Sequence, residues 1–352
     1  MHFSVNVGRA MPESRGTNEG GKAGEIVFRN VGKRYPGRDR PALEDLSFEV
    51  PAGDICVLIG PSGCGKTTAL KLVNRLISMS AGDITIDGRS VNAQELTDLR
   101  RGIGYVFQEI GLFPHMTIED NIGSVPRLLG WSKARIRSRA AELLELVGLD
   151  PADARRYPGE FSGGQQQRVG VARAMAVDPP IMLMDEPFGA IDPITRDRLQ
   201  NDFLRLHREV RKTVIFVTHD IDEAIKMGDR IAIMRDGHLV QWGTADELLA
   251  SPADDFVGSF VGADRGLKRL GVWTARDVAL EPIAAGQPPE GPTATADTCL
   301  RDILSLMLTE GTNHVDVLDD DGTLIGRVRM ETITQVVGPG GAPGAQDKVA
   351  SV

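Results

Sequence analysis

Five consecutive apolar residues, Ile55 to Ile59, run straight into Gly60-Pro61-Ser62-Gly63-Cys64-Gly65-Lys66-Thr67-Thr68. Gly60 to Thr67 fits the phosphate-binding pattern G-x-x-x-x-G-K-[ST]. The apolar run reads as a strand covered on both faces, and Thr68 to Leu76 is compatible with a helix. Strand, tight loop and helix in that order are the context the motif requires, and they place the chain in the α/β class. Gly60, Gly63 and Gly65 let the backbone turn sharply, so that successive N–H groups face a phosphate. The helix that starts near Lys66 adds its positive end. Lys66 supplies a full charge for β- and γ-phosphates, and the Thr67 hydroxyl is placed to ligate Mg²⁺. The competing reading, a glycine-rich turn with a chance lysine, leaves the flanking strand and helix unexplained. The loop implies a nucleoside triphosphate and is silent on its use.

The 352 residues accommodate a large domain with a smaller one, or two ordinary domains. A hydrophobic content of 41% and a charged content of 25% are those of a soluble globular protein. No run approaches the ~18 apolar residues of a membrane span. The N-terminus, with Asn6, Arg9, Glu13 and Arg15 among glycines, has no apolar signal core. Cys56, Cys64 and Cys299 are too few and too scattered for a disulfide framework or a zinc site, and read as buried or incidental thiols of a reducing cytosol. A net charge of −9 argues against nonspecific nucleic-acid binding.

Residues 1–24 are polar and glycine-rich and read as disordered. Glu25 to Asn30 and Leu46 to Val50 alternate as half-exposed antiparallel strands. Tyr35 lies between them, either packing or stacking on an adenine. Gly82 to Gly88 closes with a hairpin signal, and Ile103 to Phe107 is a short strand ending at Gln108. The apolar group Leu112, Phe113, Met116 and Ile118 is either a small core or a surface for a partner. Lys133 to Val147 has helical spacing up to Gly148, with a basic face read as solvated. In Phe161 to Arg168, Ser162 can cap a helix running to the stop at Pro179, and Gly163 and Gly164 leave its first amides uncovered. Ile181 to Met184 is a buried strand ending in Asp185 and Glu186, a carboxylate pair where α/β folds place their chemistry. Asp185 suits Mg²⁺ and Glu186 suits polarising water. Val214 to Thr218 ends in His219, and a lone histidine there reads first as structural. Ile231 to Met234 and Leu239 to Trp242 form a hairpin, and a helical tail covers 243–270. Pro282, Pro288, Pro289 and Pro292 mark a loose connection. A helix over Leu300 to Leu308, a strand at His314 to Leu318, the turn Asp319 to Gly322 and a strand from Leu324 to Val328 follow, before a Gly/Pro/Ala tail read as disordered.

In this order the strings resemble the nucleotide-binding subunit of ATP-binding-cassette (ABC) transporters over about residues 25 to 262. The resemblance rests on the phosphate loop Gly60 to Thr68, the Q-loop glutamine Gln108 and the signature Ser162-Gly163-Gly164-Gln165. It is completed by Asp185 and Glu186, the D-loop Gly189 to Asp192 and the switch histidine His219. Phe161 and Ile191 stand where the family usually has leucine, and both keep the apolar character. The resemblance implies a P-loop NTPase with a RecA-like parallel sheet, an antiparallel β subdomain and a helical signature subdomain over about 109–178. It implies ATP and Mg²⁺ as cofactors, with Thr67, Gln108 and Asp185 at the metal and Tyr35 on the adenine. Two copies would pack head to tail, each nucleotide held between Gly60 to Thr68 of one and Ser162 to Gln165 of the other, with Asp192 also facing the phosphates. Glu186, His219 and Gln108 would be the catalytic residues. Membrane-embedded permease subunits and a substrate-binding protein would complete the assembly, with this chain cytoplasmic and peripheral on the inner face of the membrane.

Asp185 to Arg198, Glu223 to Asp229 and Val261 to Leu270 look more narrowly like quaternary-amine importers, which take up glycine betaine, carnitine, choline and proline betaine. Residues 263–337 would hold a linker and, from about 273, one small α/β unit similar to a cystathionine-β-synthase-type (CBS) repeat, with 338–352 a tail. Such a repeat could sense ionic strength, bind a nucleotide or help the subunit dimerise. An ABC importer for another small solute is the competing reading. A soluble ABC ATPase of DNA repair or translation would instead carry two cassettes or long coiled-coil insertions.

Overall fold

The computed structural model describes residues 23–108, 111–189, 191–283 and 288–338. The readings of residues 1–22 and 339–352 as disordered lie outside these. Its ten N-terminal strands are β1 (Ile26–Lys33), β2 (Leu43–Val50), β3 (Ile55–Ile59), β4 (Ala81–Ile86), β5 (Arg89–Ser90), β6 (Ile103–Val106), β7 (Ile181–Asp185), β8 (Thr213–Val217), β9 (Arg230–Arg235) and β10 (His238–Gly243). They form an antiparallel sheet in the order β2-β1-β4-β5 and a six-stranded sheet in the order β10-β9-β3-β8-β7-β6. Within the second, β9, β3, β8, β7 and β6 are mutually parallel, and β10 closes it as an antiparallel hairpin with β9.

The period of two along β3 explains why every one of its residues is buried. Ile55, Val57 and Ile59 point into one core with Val214, Phe216, Leu199 and Val257. Cys56 and Leu58 point into a second core with Phe28, Leu46, Ile84 and Val217. The parallel sheet is thus covered by helices on one face and by the antiparallel sheet together with the helix Lys66–Val73 on the other. Phe28 and Phe48 stack at 4.3 Å between centroids, with Trp242 at 5.5 Å from Phe48.

The helices of the 118–174 region depart from expectation in detail. The helix opened by Ser162 spans Gly163–Ala174 and stops before Pro179, with Asp178 in the left-handed region at φ 54°. The basic face of the helix Lys133–Leu146 is not all solvated: Arg139 donates to the carbonyls of Met175 and Ala176. The apolar group divides, with Ile118 fully buried, Leu112 against the core and Phe113 exposed. The tail after β10 is three short helices, Ala245–Ala250, Asp255–Val261 and Arg265–Val272.

The C-terminal unit holds β11 (Thr293–Thr295), the helix Leu300–Glu310, β12 (His314–Leu318), β13 (Leu324–Arg329) and the helix Met330–Val337. β11 and β12 are parallel and β12 and β13 antiparallel. The connection before it is not loose at its described ends. Glu281 exchanges two backbone hydrogen bonds with Arg327 and its carboxylate meets Arg329, while the Glu290 N–H donates to fully buried Asp316. Proline spacing alone does not reveal pairing partners tens of residues away.

Candidate functional site

The phosphate-binding loop leaves the end of β3 with Gly60 at φ 150° and Gly65 at φ 108°. A Cβ on Gly60 would lie 2.1 Å from the Met234 carbonyl, and one on Gly65 would lie 2.6 Å from the Ala42 carbonyl, so both positions exclude larger residues. Pro61, Ser62 and Gly63 form the exposed crown. Gly65 caps the helix Lys66–Val73, whose first residue is buried. The Lys66 ammonium donates to the Gly60 and Pro61 carbonyls at 2.7 and 3.2 Å. Cys64 lies beneath the loop, and burial pushes its thiol pKa up against the opposing charge of Lys66.

Three parallel neighbours, β3, β8 and β7, bring their C-terminal ends to one edge of the sheet. Thr67 donates its hydroxyl to Asp185 Oδ1 at 3.0 Å. Burial raises the Asp185 pKa, the Thr67 bond lowers it and the adjacent Glu186 raises it. A hydroxyl and a carboxylate in contact are hard oxygen donors of the kind Mg²⁺ takes alongside phosphates, so the pair fits the ion. Glu186 sits in the left-handed region at φ 48°, with its N–H bonded to the Val217 carbonyl at 3.0 Å. Its Oε2 lies 3.3 Å from His219 Nδ1, so the histidine read first as structural faces the carboxylate. Gln108 is exposed two residues beyond β6, the neighbour of β7 at the same edge. Thr68 is half-buried in the loop helix.

The signature lies elsewhere. Ser162 Oγ accepts from the Gln165 N–H at 3.3 Å, and Gln165 Oε1 accepts from the Ser162 N–H at 2.9 Å, a reciprocal cap. Gln165 is therefore occupied by its own helix, whereas Gly163 is exposed with nothing within 4 Å of a Cβ placed on it. Among the described residues no hydrogen bond joins Ser162 to Gln165 with the phosphate loop. Asp192 is exposed and caps the helix Pro193–Val210 through the Thr195 N–H at 3.0 Å. Tyr35 is half-buried in a cavity of about 710 Å³, with Lys33 Nζ 5.0 Å from its ring centroid.

Two positions carry structure that sequence reading passed over. Asn121, fully buried, accepts from the Phe113 N–H and donates to the carbonyls of Phe113, Met116 and Thr117. Arg173 donates to the Gly111 carbonyl at 2.7 Å. The one signal for Asn121 was a polar residue beside Ile118 and Ile122 on a short amphipathic stretch.

The profile of the ABC transporter family matches residues 43–189. The chain is 51% identical over 310 residues to an osmoprotectant import ATP-binding protein of Salmonella typhimurium, covering 86% of this chain and 79% of that one. It is 40% identical over 309 residues to a glycine betaine uptake system ATP-binding protein of Escherichia coli, covering 88% and 98%. Among solved structures, a dimeric post-hydrolysis state of an ATP-binding cassette bound to ADP and Pi aligns with a TM-score of 0.58 at 35% identity, covering 62% of this chain and 98% of that one. With the loop, the carboxylate pair and the histidine gathered on one sheet edge, and with relatives of this closeness over most of its length, the chain belongs to the ABC transporter family as one of its ATP-binding proteins.

Proposed function

We propose that this chain hydrolyses ATP to energise an importer of osmoprotectant quaternary amines such as glycine betaine, carnitine or choline. The observation that carries the chemistry is the meeting of Thr67 with Asp185 and of Glu186 with His219 at the ends of adjacent parallel strands. Lys66 would hold the β- and γ-phosphates, Thr67, Asp185 and Gln108 would hold the metal, and Tyr35 would stack on the adenine. Mg²⁺ supplies neutralising charge to the phosphate oxygens. Glu186 orients and polarises the attacking water, and His219 contacts the γ-phosphate. The exposed start of the signature helix suits a γ-phosphate from a second copy, because Gly163 leaves it open to approach. Asp192, exposed at the start of the helix Pro193–Val210, is likewise open to a nucleotide. The dimeric state of the related cassette supports this pairing.

The cargo reading is supported by relatives described as osmoprotectant, choline, and glycine betaine/carnitine/choline transport proteins. Permease subunits and a substrate-binding protein complete the importer, with the chain peripheral on the inner face of the membrane. The strand-helix-strand-strand-helix order of the C-terminal unit supports one CBS-type repeat, appended to an ATP-binding domain of about residues 25–262. A different small solute is the alternative cargo, since subunits other than this one select it. Reconstitution with the permease and binding protein in ATP-loaded proteoliposomes tests the reading. Uptake of radiolabelled glycine betaine or choline, abolished by Glu186→Gln, is the expected result. Brisk hydrolysis with no uptake of any quaternary amine would overturn the assignment of cargo.

A further inference from the structure

The His219 ring is exposed, and among the described residues the Glu186 carboxylate at 3.3 Å is its one ion-pair or hydrogen-bond partner. Its placement is therefore set by the backbone on either side. Before it, buried Thr218 donates its N–H to the Leu58 carbonyl of β3 at 3.2 Å. After it, the Asp220 N–H donates to Thr218 Oγ1 at 3.1 Å and closes a short turn around the histidine. Asp220 Oδ1 then accepts from the N–H groups of Asp222 and Glu223 at 2.9 and 3.2 Å and starts the helix Ile221–Met227. Glu223 is buried on the face of that helix that also buries Ala224 and Met227. An apolar side chain there would pack without penalty, whereas a carboxylate removed from water needs hydrogen bonds to offset the loss. Two side chains supply them. Gln200 Nε2, itself buried, donates at 2.9 Å from the helix Pro193–Val210, which Leu199 and Phe203 seat in the main core. The Thr218 hydroxyl is the second: burial raises the Glu223 pKa above its ordinary value, and the hydrogen bonds from Thr218 and Gln200 restrain that rise. A hydroxyl has one hydrogen, and once it points at Glu223 the oxygen lone pairs are left for the Asp220 N–H. The polar chain from Gln200 through Glu223 and Thr218 to Asp220 thus passes around His219 without touching its ring.

We propose that Glu223 is a positioning residue for hydrolysis: held by Gln200, it orients the Thr218 hydroxyl and so fixes the turn that aims His219 at Glu186. This rests on the role assigned above to His219. Without the carboxylate the Thr218 hydroxyl turns freely, the Asp220 N–H loses a fixed acceptor and the exposed ring is no longer confined to its place beside Glu186. A group that must meet a phosphate in one geometry is held by neighbours whose own positions are locked, and a buried, fully bonded carboxylate locks them more narrowly than apolar packing does.

The test reads steady-state kcat and KM for ATP in the assembled transporter, and the NMR ring signals of isotope-labelled histidine in the nucleotide-free full-length chain. Glu223→Met and Thr218→Val should each lower kcat by about tenfold with KM held within about twofold. Both should shift or broaden the His219 signal, which is identified by its loss in His219→Ala. In Glu223→Gln the amide oxygen still accepts from Thr218 while Gln200 turns its own amide over to accept, so this variant should recover most of the rate and the unaltered signal. Added to His219→Ala, neither Glu223→Met nor Thr218→Val should slow turnover by more than about twofold further. Losses that multiply in that combination would overturn the inference while leaving His219 its role. So would a full kcat for Thr218→Val, or a Glu223→Gln variant as slow as Glu223→Met. A full kcat for His219→Ala would overturn both that role and this inference. Should Glu223→Met fail to accumulate as folded protein, Thr218→Val, which keeps the shape and removes the hydroxyl, carries the same cycle with the same outcomes.

Discussion

Glu186 is where the residue scale matters most. It is one of the non-glycine residues held at positive φ, and its carboxylate reaches His219 from that conformation. L-residues pay about 1–2 kcal/mol for the left-handed region, and such a cost persists where geometry at a site requires it. Glu186→Gln keeps the shape and removes the carboxylate proposed above to polarise water. Turnover should fall by about 10²–10⁴-fold with ATP affinity unchanged, as single-turnover and equilibrium nucleotide binding would show. Glu186→Gly should also be inactive yet more stable by up to about 1 kcal/mol in chemical denaturation, because glycine enters that region freely and returns only part of the gain as unfolded-state entropy. Loss of stability in the glycine variant would mean that the carboxylate's contacts outweigh the backbone cost.

At the scale of elements, the strands were legible because burial has a period. β3 alternates its side chains between two cores, and each half of that alternation is apolar in the sequence. The phosphate loop, the carboxylates after β7 and the histidine after β8 were legible as strand-loop junctions. What was not legible is whatever depends on a partner far along the chain. Arg139 read as a solvated face and caps the carbonyls of Met175 and Ala176; the prolines around 282–292 read as loose, while Glu281 pairs with Arg327. Pattern gives a residue's own face and says little about which distant carbonyl waits there. Asn121 shows the energetic weight of such contacts. Asn121→Ala strips four hydrogen bonds from a fully buried site and should cost about 2–3 kcal/mol of unfolding free energy, read by urea denaturation. Increased hydrogen exchange over 113–117 should accompany it.

A third core, in which Leu270 packs with Leu300, Ile303, Val315 and Val328, and a buried ionic junction hold the C-terminal unit to the rest. Arg269 is buried, pairs with Asp246 and donates to the Val336 carbonyl at 2.7 Å, while Trp273 Nε1 donates to the same carboxylate at 2.8 Å. The C-terminal helix is thus attached to the helix that follows β10. Asp246→Ala would strand the arginine charge, which costs about 3–5 kcal/mol when one partner of a buried pair is removed, and should raise hydrogen exchange in 330–337 well above that in the parallel sheet. Within the C-terminal unit, burial pushes the Asp316 pKa up, but the Arg327 hydrogen bond and the Glu290 amide outweigh it and leave the carboxyl below its ordinary value. A folded pKa below the unfolded one stabilises above the ordinary aspartate range and is lost as pH falls through the folded value. Acidification below about pH 4 should therefore loosen this unit, and Asp316→Asn should flatten that dependence in pH-resolved thermal melts. The clasp at Glu281 and Glu290 has a practical corollary. Both ends of the stretch between them are stitched to β12 and β13, so a small reporter spliced after Ile283 would ride on the C-terminal unit without unpicking its sheet, and would follow that unit's orientation while ATP is consumed elsewhere.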